Sequence, residues 1–131
     1  MGFGKKKGPK PEEVYEAVKA NKKADVQSLL AAKCDPNAHK DQFTGDVCLH
    51  VAANKGRTEL VTMLLAGGAN VNLQNKLGQT ALHCAAGYGA LPVVELLVSK
   101  GADKSLTDMD GNTPCELAKN YGQNDVVTAL S

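Results

Sequence analysis

Small groups of apolar residues spaced i, i+3, i+4 recur along the chain, each bounded by glycine, asparagine or proline. Val14, Ala17 and Val18 form the first group, and Val26, Leu29 and Leu30 the second. Leu49, Ala52 and Ala53 form a third, followed by Leu60, Val61, Leu64 and Leu65. That spacing puts the apolar side chains on one stripe of a helix. It predicts a helix opening at Pro11, where a missing N–H costs little, and ending at Asn21. A second helix carries Val26 to Leu30. A third runs over about 47–54 and is closed by Gly56, and a fourth runs over about 59–66. Gly67, Gly68, Ala69 and Asn70 then turn the chain outward. The same plan follows further on, with Pro92 in the first turn of a second helix. The predicted class is all-α, built from pairs of short helices.

The groups also repeat at long range. GQTALHCAA (78–86) overlies GDVCLHVAA (45–53) when moved back by 33 residues, and GNTPCELAK (111–119) when moved forward by 33. His83 falls on His50, Ala85 on Ala52 and Ala86 on Ala53. Gly89 falls on Gly56 and Gly122, and Val94 on Val61 and Val127. A period near 33 with a T-P-L-H-x-A core resembles the ankyrin repeat. The resemblance implies a solenoid of four helix-turn-helix repeats with short β-hairpin-like tips. The repeats fall at about 11–40, 41–74, 75–107 and 108–131, so the repeat domain covers 11–131.

Short helices of this kind are unstable alone and bury their apolar faces only when neighbours stack on them. The pairs Ala52-Ala53 and Ala85-Ala86 let adjacent first helices approach closely. Repeat 1 maps onto repeat 2 with an offset of 35 and has Val14 and Tyr15 where Leu49 and His50 stand later, as expected of a capping unit. Repeat 4 has Glu116 for the histidine and Lys119 for the second alanine, and Cys115 and Ala129 for leucines, so the chain reads as complete. Thr80 and Thr113 stand at helix starts, where a hydroxyl caps backbone N–H groups. Val47 stands at the same place and cannot cap, so the start of its helix reads as the weakest cap in the stack.

Composition narrows the function classes. The chain has 131 residues, 43% apolar and 22% charged, with no Trp, so its core must be aliphatic. Lys5, Lys6, Lys7 and Lys10 sit in the first ten residues, which read as a disordered basic tail (1–10). The remainder is mildly acidic, with 11 basic against 14 acidic residues, which argues against nucleic-acid binding. Gly2 does not begin a myristoylation motif, because Lys6 stands where Ser or Thr is wanted. No apolar run is long enough to span a membrane. Cys34, Cys48, Cys84 and Cys115 form no C-x-x-C pair and no zinc spacing, and read as free thiols of a reducing compartment, cytoplasm or nucleus.

No catalytic, cofactor or metal site is expected. No phosphate loop, G-x-S-x-G or converging carboxylate pair occurs, and His83 and Cys84 are helix neighbours that point different ways. In the family that the motif resembles, the histidine bonds backbone between repeats, so the resemblance gives His50, His83, Thr80 and Thr113 structural roles. It also implies that binding falls to the tips and to the exposed ends of the first helices, which line a concave face. The candidate protein-binding residues are Phe43, Lys76, Leu77, Gln79, Met109 and Asp110 on tips, with Asn54, Lys55, Tyr88 and Tyr121 at helix ends. Tyr88 and Tyr121 are equivalent positions, and Lys55 is their counterpart one repeat earlier. The expected function is non-enzymatic binding of another protein by a small regulator or adaptor, monomeric when free. Two alternatives stay open: a structural subunit of a larger assembly, and a membrane-peripheral adaptor using the lysine tail.

Overall fold

A computed structural model describes residues 8–131, which form eight helices and no β-strand. They are α1 (Pro11–Lys19), α2 (Lys23–Ala31), α3 (Cys48–Asn54), α4 (Thr58–Ala66), α5 (Ala81–Tyr88), α6 (Leu91–Ser99), α7 (Pro114–Asn120) and α8 (Asn124–Leu130). Each odd-numbered helix pairs with the one after it. The odd-numbered helices stack on one another in order, and the even-numbered ones stack in a second layer behind them. Gly2, Lys5, Lys6 and Lys7 lie outside the described residues. Lys10, placed in the tail by composition, is the N-cap residue of α1, and its carbonyl accepts from Glu13 N–H at 2.9 Å and Cys34 Sγ at 3.3 Å.

The core follows from the apolar stripes. Leu49, Leu60, Leu64, Leu82 and Leu97 are buried between the layers with Val14, Val18, Val26 and Val61. Ala52, Ala53, Ala85, Ala86 and Ala118 are fully buried where first helices meet, and Lys119 is exposed on α7, the last odd-numbered helix among the described residues. At Gly56 and Gly89 the chain leaves the first helix with φ of 65° and 85°, a conformation that favours glycine. The corresponding turn of the first pair uses Asn21 at φ 59°, and Asn is the residue that best tolerates that region after glycine.

The helix starts differ from the sequence reading in one respect. Thr80 Oγ1 accepts from His83 N–H at 3.3 Å, and Thr113 Oγ1 accepts from Glu116 N–H at 3.3 Å. Val47 makes no such bond, yet α1, α2, α4, α6 and α8 also start without a side-chain cap, so Val47 is not singular. The orphan N–H of Val47 itself is taken by His50 Nδ1 at 3.1 Å, which keeps half of the cap. Glu116 serves the same end in the last pair, its carboxylate accepting from Thr113 N–H at 3.2 Å.

Candidate protein-binding surface

Three loops project between the helix pairs, and each is closed by one short polar side chain. Asp41 Oδ1 accepts from Phe43 N–H (2.8 Å) and Thr44 N–H (2.9 Å). Asn75 Oδ1 accepts from Leu77 N–H and Gln79 N–H, both at 2.9 Å. Asp108 Oδ1 accepts from Asp110 N–H (3.0 Å) and Asn112 N–H (2.9 Å). The side chain that closes each turn leaves the next large residue outside it. Phe43, Leu77 and Met109 are 79%, 55% and 72% exposed. Backbone bonds tie the loops in a row, Lys76 N–H to the Thr44 carbonyl and Met109 N–H to the Leu77 carbonyl, both at 2.9 Å.

The histidines hold the loops to the helices. His50 Nε2–H donates to the Gln79 carbonyl at 2.8 Å, and His83 Nε2–H donates to the Asn112 carbonyl at 2.9 Å. Each Nδ1 accepts a backbone N–H at its own helix start, from Val47 in one case and Thr80 in the other. An accepting Nδ1 puts the proton on Nε2, so both rings are neutral and fully used. Burial pushes the His50 pKa down. Burial likewise pushes the Cys48 and Cys84 thiols up to about 12, which keeps them protonated and unreactive. Among the described residues no cluster of three or more His, Cys, Asp or Glu could hold a metal ion.

The ends of the first helices complete the surface. Tyr88 and Tyr121 are 59% and 66% exposed, and Asn54 and Lys55 are exposed beside them. Each tyrosine ring also lies over backbone of the preceding pair. A Cβ on Gly56 would stand 2.9 Å from Tyr88 Cε2, and one on Gly87 would stand 3.7 Å from Tyr121 Cδ2. A groove of about 230 Å³ runs between the two rings, floored by Gly87 and Leu117 and walled by Asn54 and Gln79. A second groove, of about 380 Å³, continues from Asn54 toward α1 past Lys55, Asp46, Asp41, Lys19 and Tyr15. Burial and the nearby Asp41 and Asp46 carboxylates raise the Tyr15 hydroxyl to about 12.

Two candidates are placed less freely than the rest. Gln79 is half buried and its backbone is committed to Asn75 and His50. Lys76 is exposed, but its ammonium donates to the Gln42 carbonyl. Asp110 is exposed at the third tip.

Sequence reasoning missed the polar side chains that reach across pairs. Arg57 Nη1 donates to the Val18 carbonyl at 2.9 Å and the Lys19 carbonyl at 3.2 Å, closing the C-terminus of α1. Gln123 Nε2 donates to the Gly87 carbonyl at 3.2 Å near the end of α5. Arg57, Ala90 and Gln123 stand 33 residues apart, each just after an equivalent glycine. A long polar residue at two of those three positions was the available signal. Asn37 Oδ1 and Asn72 Oδ1 make similar links behind, accepting from Asn70 N–H (2.7 Å) and Asp103 N–H (2.8 Å).

Comparison with known proteins agrees with this plan. A profile of ankyrin repeats in three copies matches residues 14–108 and again 49–131. A stretch of 50 residues, 38% of this chain, is 46% identical to the E3 ubiquitin-protein ligase KEG of Arabidopsis thaliana. A stretch of 53 residues, 40% of this chain, is 47% identical to the ankyrin repeat and KH domain-containing protein mask-1 of Caenorhabditis elegans. Those stretches amount to 3% and 2% of the lengths of these relatives, so the likeness is one of repeats. Ankyrin repeats serve in general as modules for protein–protein interaction, without catalysis of their own. The chain belongs to the ankyrin-repeat family.

Proposed function

We propose that this protein is a small regulator or adaptor that binds a partner protein on its concave face, with the loop tips and first-helix ends as the contact surface. One observation carries the reading. Among the described residues, the large hydrophobic side chains left exposed are Phe43, Leu77, Tyr88, Met109 and Tyr121, and all five lie on those loops and helix ends. Scattered exposed apolar residues are ordinary on a protein surface, whereas five gathered on one face mark an interaction site. Tyrosine in particular is enriched where interfaces gain most of their energy. The contact set is Phe43, Asn54, Lys55, Leu77, Tyr88, Met109, Asp110 and Tyr121, with Lys76 and Gln79 supporting the second tip. Four free thiols suit a reducing compartment, cytoplasm or nucleus.

The test is site-specific photo-crosslinking in native extract. A photoreactive residue at Leu77 or Tyr88 should join the protein to a discrete partner, and one at Thr62 on α4, in the rear layer, should not. Equal crosslinking from both faces, or from Thr62 alone, contradicts the proposal.

A further inference from the structure

We propose that residues 1–7 of this chain fold back over the outer face of the first helix pair and cover it, with Lys5, Lys6 and Lys7 on Glu13, Glu16 and Asp25. This face is separate from the docking face proposed above. A groove of about 610 Å³ runs along it between α1 and α2, and Glu13, Glu16, Ala17, Lys22, Asp25 and Leu29 line it. At the offset of 35 that relates the first two pairs, five of these positions correspond to Cys48, Val51, Ala52, Leu60 and Leu64, all buried. In the first pair Ala17 stays buried and Leu29 is half buried, while the other three positions carry exposed carboxylates. The end of a stack needs polar residues to be soluble, and either sign of charge would serve. Here one sign prevails, with three carboxylates to the single ammonium of Lys22. Among the described residues none of the three has a cation within 4.0 Å. Lys23, the next cation on α2, is already paired with Glu59 at 3.2 Å.

The segment leading into α1 has the opposite charge. Residues 1–7 hold Lys5, Lys6 and Lys7, no acidic residue, and one large apolar side chain, Phe3. Gly8 and Pro9 join them to Lys10, the N-cap residue of α1, so they start at the same end of the helix as Glu13. Seven residues reach at most about 25 Å. The nine residues of α1 are roughly 14 Å long, so the segment can run the length of the groove. Exposed ion pairs are individually weak. A segment tethered through so few residues, however, meets the face at an effective concentration on the order of millimolar. Phe3 then lies against the apolar floor that Ala17 and Leu29 provide.

The test is intramolecular photo-crosslinking in the full purified chain, with benzoylphenylalanine in place of Phe3 and the products mapped by mass spectrometry. Crosslinks should fall within one chain, on residues of α1 and α2. Lys5→Glu, Lys6→Glu and Lys7→Glu together should cut their yield at least fivefold while leaving the folded residues untouched. Adding Glu13→Lys, Glu16→Lys and Asp25→Lys should restore it. A yield unchanged by the three tail substitutions overturns the pairing, whatever the second set does. Crosslinks scattered along the chain, or joining two chains, overturn the fold-back and leave the docking face intact. Crosslinks at Leu77 or Tyr88 would place the segment on the docking face instead. Loss of the crosslink on adding phosphatidylserine vesicles would give the lysines to an anionic lipid surface and likewise overturn the proposal.

Discussion

Arg57 of the second helix pair closes the C-terminus of α1 in the first, its Nη1 donating to the Val18 carbonyl at 2.9 Å. The last carbonyls of a helix have no partner within it, and a short helix has few bonds to spare. A guanidinium there satisfies the carbonyls and suits the negative end of the helix. It also makes the integrity of α1 depend on contact with the next pair, which is the physical content of cooperative stacking. Arg57→Ala should therefore cost about 1–2 kcal/mol, in keeping with a hydrogen bond from a charged donor at partial exposure. Urea unfolding checks this: a midpoint unchanged from the parent would show that the bond contributes nothing.

The buried His50 predicts a pH dependence. Burial lowers the folded-state pKa of His50, so between that value and the unfolded value near 6.5 the unfolded chain binds more protons. The stability contributed by neutral His50 is present above about pH 6.5 and is lost as the pH falls below it. Protonation would place a second donor against the Val47 N–H, which now donates to Nδ1 at 3.1 Å. Unfolding free energy should fall between pH 7 and pH 5. His50→Ala should be less stable at pH 7 by about 2 kcal/mol, because the buried Val47 N–H and Gln79 carbonyl lose their partner, and its decline with pH should be shallower. An identical slope in parent and variant would contradict the assignment.

Val47 offers a gain rather than a loss. Thr80 and Thr113 occupy the equivalent position in later pairs and bond to the backbone three residues on. Val47→Thr is nearly unchanged in shape and places a hydroxyl where Thr80, equally buried, makes its bonds. It should stabilise the protein by about 0.5–1 kcal/mol. A lower melting temperature would mean that the buried hydroxyl finds no partner beside His50.

Ala85 is fully buried where first helices meet. Ala85→Leu should overpack that contact and cost about 1–3 kcal/mol. An unchanged melting temperature would show that the helices do not meet there.

The repeat plan was legible because it rests on period and residue size, which are written along the chain. GQTALHCAA and its two images place a turn glycine, a helix start and the small residues that let helices meet, and the apolar stripes place the two layers. The exposed set was legible through the resemblance, which puts Tyr88, Tyr121, Leu77 and Met109 on tips and first-helix ends, where all four are exposed. Gln79 and Lys76 were less legible. Whether a tip residue faces outward depends on how the loop closes, and in the second tip Asn75 draws the Gln79 backbone inward. Arg57 and Gln123 escaped because their partners are carbonyls, which carry no sequence label. Only the position after an equivalent glycine hinted at them. That Asn54 lines both grooves was not legible at all, because it depends on how the first helices are placed beside one another.

Most direct for the docking face is a comparison of the intact protein with the double variant Leu77→Ala, Tyr88→Ala. Both side chains are more than half exposed, so thermal unfolding should move little. Capture of the partner that crosslinks at Leu77 should drop at least tenfold, as expected when two hot-spot residues are truncated. Undiminished capture, or loss of stability equal to the loss of binding, would contradict the concave face as the functional surface.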